Sequence, residues 1–310
     1  MTASLRIGNM RASLLLLPVV FSLQAETLDV AVNRIAKEAV EKFEATGLTR
    51  DKIALTVIDL RGAAQASYRG SVPVYPASVV KLFYLAAAHR QMESGNLPDT
   101  LELRRALRDM IVDSSNDATG MIVDSLTGTT GGPELSQAEL TAWLEKRNWM
   151  NRYFAGLGYT GISVNQKTFA EGPYGRERQG RGKQFENNNR LTTEATARLI
   201  QSIVTKKAVT PARCGEMMTL LHRDFSAPAA DPDDQAHGFS GSALPKGAGY
   251  WSKAGWTSTT RHDATYVELP GGARYVAVVF TVDNAKQAGI IPFVAGKLAN
   301  YFSATDVLLH

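Results

Sequence analysis

A single cysteine, Cys214, stands in the 310-residue chain. This excludes an intramolecular disulfide and a metal site built on cysteine pairs. The five histidines are scattered, with none of the His-Glu-x-x-His spacing that puts two ligands on one helix face. No metal or other cofactor is expected. Cys214 falls in a helix-like run from Ala212 to His222 and reads as a small buried residue, not a nucleophile. The formal net charge of +4 is too small for this length to argue for a nucleic-acid partner. Beyond the N-terminus no apolar run approaches the ~20 residues of a membrane-spanning helix. With 44% hydrophobic and 21% charged residues, the composition is that of a globular chain able to bury one large core. A monomer acting on a small molecule is expected.

The first 25 residues read as an export signal. Arg6 and Arg11 supply positive charge, Ser13 to Phe21 a short Pro-broken apolar core, and a cut after Ala25 fits. The protein is then expected in the periplasm or outside the cell. Residues 26–310 form one expected domain, with an α/β part (26–77 and 210–310) and a helical part (78–209).

Helical spacing from Leu28 to Phe43, ended by Gly47, predicts a first helix. Lys52 to Leu60 reads as a buried strand and Gln65 to Val74 as a weaker one, with Arg61-Gly62-Ala63-Ala64 as their turn. A helix beginning at Pro76, with Tyr75 as its cap, runs to about Met92. Leu103 to Met110, Ala118 to Leu126 and Glu139 to Trp149 have the helical period, Thr192-Thr193-Glu194 opens another helix through Val204, and Gly156 to Arg190 reads as a long loop. A second loop, Ser226 to Gly249, leads to strands at Tyr250 to Ser258, Asp263 to Leu269 and Arg274 to Val282; Ile290 to Phe302 is a last helix. Short turns between the late strands imply antiparallel pairing, and the terminal helices are the available cover. The expected class is α/β of the α+β kind: a five-stranded antiparallel sheet flanked by terminal helices, with an inserted helical subdomain.

Tyr75-Pro76-Ala77-Ser78-Val79-Val80-Lys81-Leu82-Phe83 carries the chemistry. Three positions along a helix share a face, so Ser78 and Lys81 can meet. A serine hydroxyl becomes a nucleophile when a neighbouring base takes its proton, and a lysine kept neutral is such a base. With Pro76 at the first helical position, Ser78 is a first-turn residue, and capping explains it poorly. Two further motifs follow: Ser114-Ser115-Asn116 and Lys253-Ala254-Gly255-Trp256.

In this order the three motifs resemble those of the penicillin-recognising serine hydrolases: class A β-lactamases, the related penicillin-binding peptidases and esterase-like relatives. The resemblance covers roughly residues 27 to 303, with Asn189-Arg190-Leu191-Thr192-Thr193 similar to the segment leaving that family's Ω-loop. It implies that Ser78 attacks the carbonyl and that Lys81, its pKa lowered by a second cation at Lys253, is the base. Ser114 would relay the proton to the leaving nitrogen, with Lys253 holding Ser114 and attracting an anionic substrate. Asn116 would bind the substrate's amide side chain, the N–H groups of Ser78 and Trp256 would form the oxyanion hole, and Gly255 and Trp256 would be substrate-binding residues of the third motif. Ala254 departs from the family, which has there a hydroxyl that helps bind a substrate carboxylate; Thr257 and Arg261 are the candidates to compensate. The structural alternatives are Ser114 and Asn116 as helix-end polar groups, Lys253 as an exposed strand residue and Trp256 as core.

The family's class A members also carry an Ω-loop glutamate, with asparagine four residues on, to activate the water that frees the acyl-enzyme. No such pair is present. Glu171, Glu177 and Glu186 lie in the right region and read as solvated loop carboxylates. Arg261-His262-Asp263 is a candidate substitute water activator, although His262 reads more simply as structural. Three functions remain open: β-lactam amide hydrolysis as the leading expectation, D-Ala-D-Ala peptide or ester hydrolysis on the same fold, and a penicillin- or peptidoglycan-binding sensor without turnover.

Overall fold

The computed structural model describes Met1 and residues 26–307 apart from Ala170, Ala230, Pro232 and Asp233. The expected export signal lies outside the described residues. Ten helices and five strands are described, in the order α1 (Leu28–Phe43), β1 (Ile53–Asp59), β2 (Gln65–Tyr68), α2 (Lys81–Glu93), α3 (Leu101–Ile111), α4 (Asn116–Thr127), α5 (Gln137–Arg147), α6 (Trp149–Gly156), α7 (Gly175–Arg181), α8 (Thr193–Val204), α9 (Pro211–Leu221), β3 (Gly249–Trp256), β4 (Thr260–Glu268), β5 (Arg274–Val282) and α10 (Ile290–Val307).

The strands form one antiparallel sheet in the order β2-β1-β5-β4-β3. Alternation along each strand feeds two cores. On β1, Ile53, Leu55 and Val57 join the core beneath α1 and α10, whereas Ala54 and Ile58 join the core shared with α2 and the inserted helices. Helix α8, grouped by sequence with the helical part, packs on β1, β4 and β5, and Thr193 Oγ1 meets Thr56 Oγ1 at 2.7 Å on the sheet.

Helix starts follow local chemistry. Thr27, Thr100, Ser115, Thr192 and Thr210 each accept a backbone N–H three residues on, and Ser136 and Glu139 form a reciprocal capping box. Several expectations are corrected. Strand β2 ends at Tyr68 because Arg69 takes a left-handed backbone, φ 54°. The helix predicted through Trp149 breaks at Asn148, which ends α5 and opens α6. The long loop contains α7, which has no apolar period; it is held by Glu177 on the buried Arg147 and by Gly180 packed so closely that a Cβ would meet the Trp143 ring at 2.7 Å. The Ser78 segment is not the start of an α-helix at Pro76. Pro76 precedes a 3-10 turn, Ala77–Val80, and α2 proper begins at Lys81.

Candidate active site

The 3-10 turn carrying Ser78 lies against the end of edge strand β3. A Cβ on Gly255 would stand 2.9 Å from Pro76 O, Ser78 N and Val79 N, so only glycine permits this approach. Glycine in the third motif is thus explained by packing the strand against the nucleophile turn. Ala77, just before Ser78, has φ 47°, and Ser114 has φ 55°. Both hydroxyl-bearing segments therefore hold a residue in a conformation that costs on the order of 1 kcal/mol or more and persists only when the surroundings impose it.

Lys81 is fully buried. Its Nζ donates to Ser114 O (2.6 Å), Ser114 Oγ (3.2 Å) and Asn116 Oδ1 (2.9 Å). Burial brings its pKa down from 10.5 to about 7. The sequence assigned this lowering to Lys253; burial is instead the cause, and no carboxylate acts on Lys81 among the described residues. Ser78 is half-buried, and its hydroxyl makes no hydrogen bond among the described residues.

Lys253, far from being an exposed strand residue, is fully buried. Its Nζ donates to Ser114 Oγ (3.0 Å), Gln235 Oε1 (2.5 Å) and Ala254 O (2.7 Å). Burial first, then the neighbouring cations Lys81 and Arg223, hold its pKa far below the lysine range. The structure therefore brings Lys81, Ser114, Asn116 and Lys253 into one connected set, with Ser114 Oγ between two lysine nitrogens.

Sequence reasoning missed two residues of this set. Gln235 accepts from Lys253 and from Ala254 N (3.2 Å), and donates to Ile111 O (3.1 Å) and Val112 O (2.9 Å). Arg223 Nη2 donates to Ile111 O and Ser252 O, both at 3.0 Å. Together they tie the segment leading to Ser114 to the outer edge of β3. Neither residue had a local signal, because each acts across more than 100 positions on one side. The same pattern bears on Trp256. In the antiparallel register, Tyr250, Ser252 and Ala254 direct their backbone groups away from β4, onto Arg223 and Gln235. Trp256, two residues further on, shares that outward edge, beside the Ser78 turn.

The remaining candidates are placed differently. Trp256 is not core: the residue is 43% exposed, with its ring centre 5.5 Å from that of Phe239. Thr257 Oγ1 accepts from Thr259 N and Thr260 N, both at 3.1 Å, and so closes the β3–β4 turn. Arg261 is buried, its Nη2 on Gly238 O (2.7 Å) and its guanidinium 4.2 Å from the Phe239 ring centre. His262 is fully buried; Nε2–H donates to Tyr75 O (2.9 Å) and Nδ1 accepts from Thr281 N (3.1 Å). Burial lowers its pKa to about 4. With both ring nitrogens occupied by backbone, it activates no water. Glu177 is not solvated either: it is buried, with Oε1 2.6 Å from Arg147 Nη2 and 3.1 Å from Lys167 Nζ. Glu171 and Glu186 are exposed, as expected.

A serine on a tight turn, a buried neutralisable lysine and a second hydroxyl between two lysines, set between a five-stranded antiparallel sheet and a helical insert, define the architecture of the penicillin-recognising serine hydrolases. The model of the beta-lactamase enzyme family matches residues 97–302, about two thirds of the chain, and the chain belongs to that family. No curated protein matches it. The fold is similar to that of the β-lactamase from Sphaerobacter thermophilus DSM 20745, at 20% identity and a TM-score of 0.63 over 87% of this chain and 98% of that one. It is similar also to a variant of PBP-A solved as its acyl-enzyme with penicillin G, at 19% identity and a TM-score of 0.63 over 88% and 97%. The TLA-3 extended-spectrum β-lactamase matches at 13% identity and a TM-score of 0.64 over 87% and 98%. At these identities the likeness is one of fold.

Proposed function

We propose that the protein is an acyl-transferring serine hydrolase in which Ser78 is the nucleophile and Lys81 the base, with a β-lactam amide or an ester as acyl donor. The observation that carries this reading is the Lys81 ammonium buried without a carboxylate, which makes it a base near neutrality. In the proposed cycle Ser78 Oγ bonds to the carbonyl carbon as its proton passes to Lys81. Ser114, hydrogen-bonded to both lysines, returns a proton to the leaving nitrogen or oxygen as that bond breaks. Ser78 N–H and Trp256 N–H stabilise the oxyanion, worth about 3 kcal/mol for each well-placed donor. Release then requires water to attack the acyl ester. With no carboxylate acting on Lys81 and with Glu177 committed to Arg147 and Lys167, Lys81 is the remaining base, and the acyl-enzyme is long-lived.

The test is peptide mapping after incubation with benzylpenicillin and, separately, with a phenyl ester. An acyl group on Ser78, absent from Ser78→Ala and slowed by orders of magnitude in Lys81→Ala, is the expected result. An acyl group elsewhere, or a near-normal rate in Lys81→Ala, refutes the assignment.

A further inference from the structure

Ser114 Oγ is held from three sides. Lys81 Nζ lies 3.2 Å and Lys253 Nζ 3.0 Å away, and the residue's own backbone, at φ 55°, keeps that conformation only under restraint from its surroundings. Gln235 acts on two of these three. Its Nε2 donates to Ile111 O (3.1 Å) and Val112 O (2.9 Å), in the segment that leads to Ser114. Its Oε1 accepts from Lys253 Nζ (2.5 Å) and from Ala254 N (3.2 Å). These partners fix the orientation of the amide. The two carbonyls only accept, and the Ala254 N–H only donates, so the nitrogen must face the Ser114 segment and the oxygen must face β3. A carboxylate here would set an oxygen against two carbonyls, and asparagine, one methylene shorter, would not span the gap. Gln235 is itself well anchored. It is buried, and the turn that carries it is closed by the Asp234 carboxylate, which accepts from Ala236 N (2.7 Å) and His237 N (2.8 Å). Arg223 shares Ile111 O, but its second bond is to Ser252 O and not to the lysine.

We infer that Gln235 is a positioning residue for proton delivery to the leaving group: its carboxamide sets Lys253 and the Ser114 backbone in one register, and so fixes where the Ser114 hydroxyl meets the departing atom. The inference rests on the serine-hydrolase reading and adds a residue that works through Ser114. In the step it serves, the bond from the acyl carbon to the leaving oxygen breaks, that oxygen takes the Ser114 proton, and Lys81, carrying the proton of Ser78, restores it to Ser114. A leaving group that departs readily as an anion has little use for that proton, whereas a poor one depends on it.

Two esters with one acyl group test it: p-nitrophenyl phenylacetate, whose phenolate departs unaided, and trifluoroethyl phenylacetate, whose alkoxide needs a proton. Both place the same phenylacetyl group on Ser78, followed by intact-protein mass. Gln235→Glu and Gln235→Asn are expected to slow acylation by the alkyl ester about 100-fold, as for ~1 Å displacements at other reacting groups, and by the nitrophenyl ester less than about tenfold, in kcat more than in KM. Ser114→Ala should show the same leaving-group dependence, and in that background either change at Gln235 should add less than about threefold, because residues acting through one group are not additive. Equal losses with the two esters, a full further loss in Ser114→Ala protein, or wild-type rates in both variants would overturn positioning through Ser114 and leave the hydrolase reading intact. Where one variant does not fold, the other carries the comparison; loss of the near-UV circular dichroism of both would make Gln235 a purely structural residue and overturn the inference. Failure of both esters and of benzylpenicillin to modify Ser78 in wild-type protein would overturn the hydrolase reading and the inference with it.

Discussion

Replacing Asn116 by aspartate tests how the base is tuned. Asn116 Oδ1 accepts a hydrogen bond from Lys81 Nζ at 2.9 Å, and the lysine's pKa stands at about 7 through burial. A lysine at 10.5 would be neutral in only about 3 molecules in 10,000 at pH 7, against about half when the pKa is near 7, a gain in reactive base on the order of 10³. Asn116→Asp changes one atom and sets a negative charge against the ammonium. An opposite charge at this distance favours the charged form by about 1–3 pKa units. The sign follows: the base must be unprotonated, so wild-type acylation should rise tenfold per pH unit up to about pH 7 and then level off, whereas the variant's rise should continue to pH 8–10. At pH 7 the variant should be about 5- to 500-fold slower, recovering at high pH. The assay is stopped-flow acylation by a phenyl ester between pH 5 and 10, corrected for spontaneous hydrolysis. A variant that is slow at every pH with an unmoved midpoint would show that Asn116 acts only on the substrate. A flat wild-type profile would remove Lys81 as the titrating base.

Three other substitutions probe the supporting structure. Gly255→Ala puts a methyl 2.9 Å from three backbone atoms of the nucleophile turn; acylation should fall about 100-fold or more, as for displacements of ~1 Å at other reacting groups, with far-UV circular dichroism unchanged. Glu177→Ala leaves the buried Arg147 with Asp124 as its remaining acid at 3.1 Å; urea unfolding should show a loss of about 3 kcal/mol, the lower end for breaking a buried pair, and no loss would make the α7 anchor unimportant. His262→Phe removes two buried hydrogen bonds and should cost about 2 kcal/mol at pH 8. Because the folded histidine's pKa is lowered from 6.5 to about 4, the unfolded chain binds the proton first, and wild-type stability falls between those pH values as acid is added. The variant should lose less over that range; an equal loss would place that sensitivity elsewhere.

The sheet and most helices were legible in the sequence because their signals are local: β5 and α1 occupy the spans that apolar periodicity predicts. The three motifs were legible as residue types at fixed order. Their electrostatics were not, since the lowering at Lys81 comes from burial under helices far away in sequence, and the clamp on Lys253 comes from Gln235 in a segment rich in Pro, Ala and Asp with no period of its own. Glu177 and α7 escaped for a related reason. A helix held by a buried ion pair shows charge where periodicity asks for leucine, so it reads as a solvated loop. Arg261 and Thr257 carry suitable groups for a carboxylate, and only the folded chain shows those groups engaged with Gly238 and the β3–β4 turn.

The central claim is a Ser78 acyl-enzyme that forms readily and is released slowly. Its most direct measurement is a time course of intact-protein mass after one addition of benzylpenicillin or phenyl ester, with product followed by absorbance in parallel. The account predicts a single acyl increment that appears on wild-type protein, persists well beyond its formation time and is absent from Ser78→Ala. Rapid product formation with no detectable adduct would contradict slow release, and an increment on Ser78→Ala would contradict the nucleophile itself.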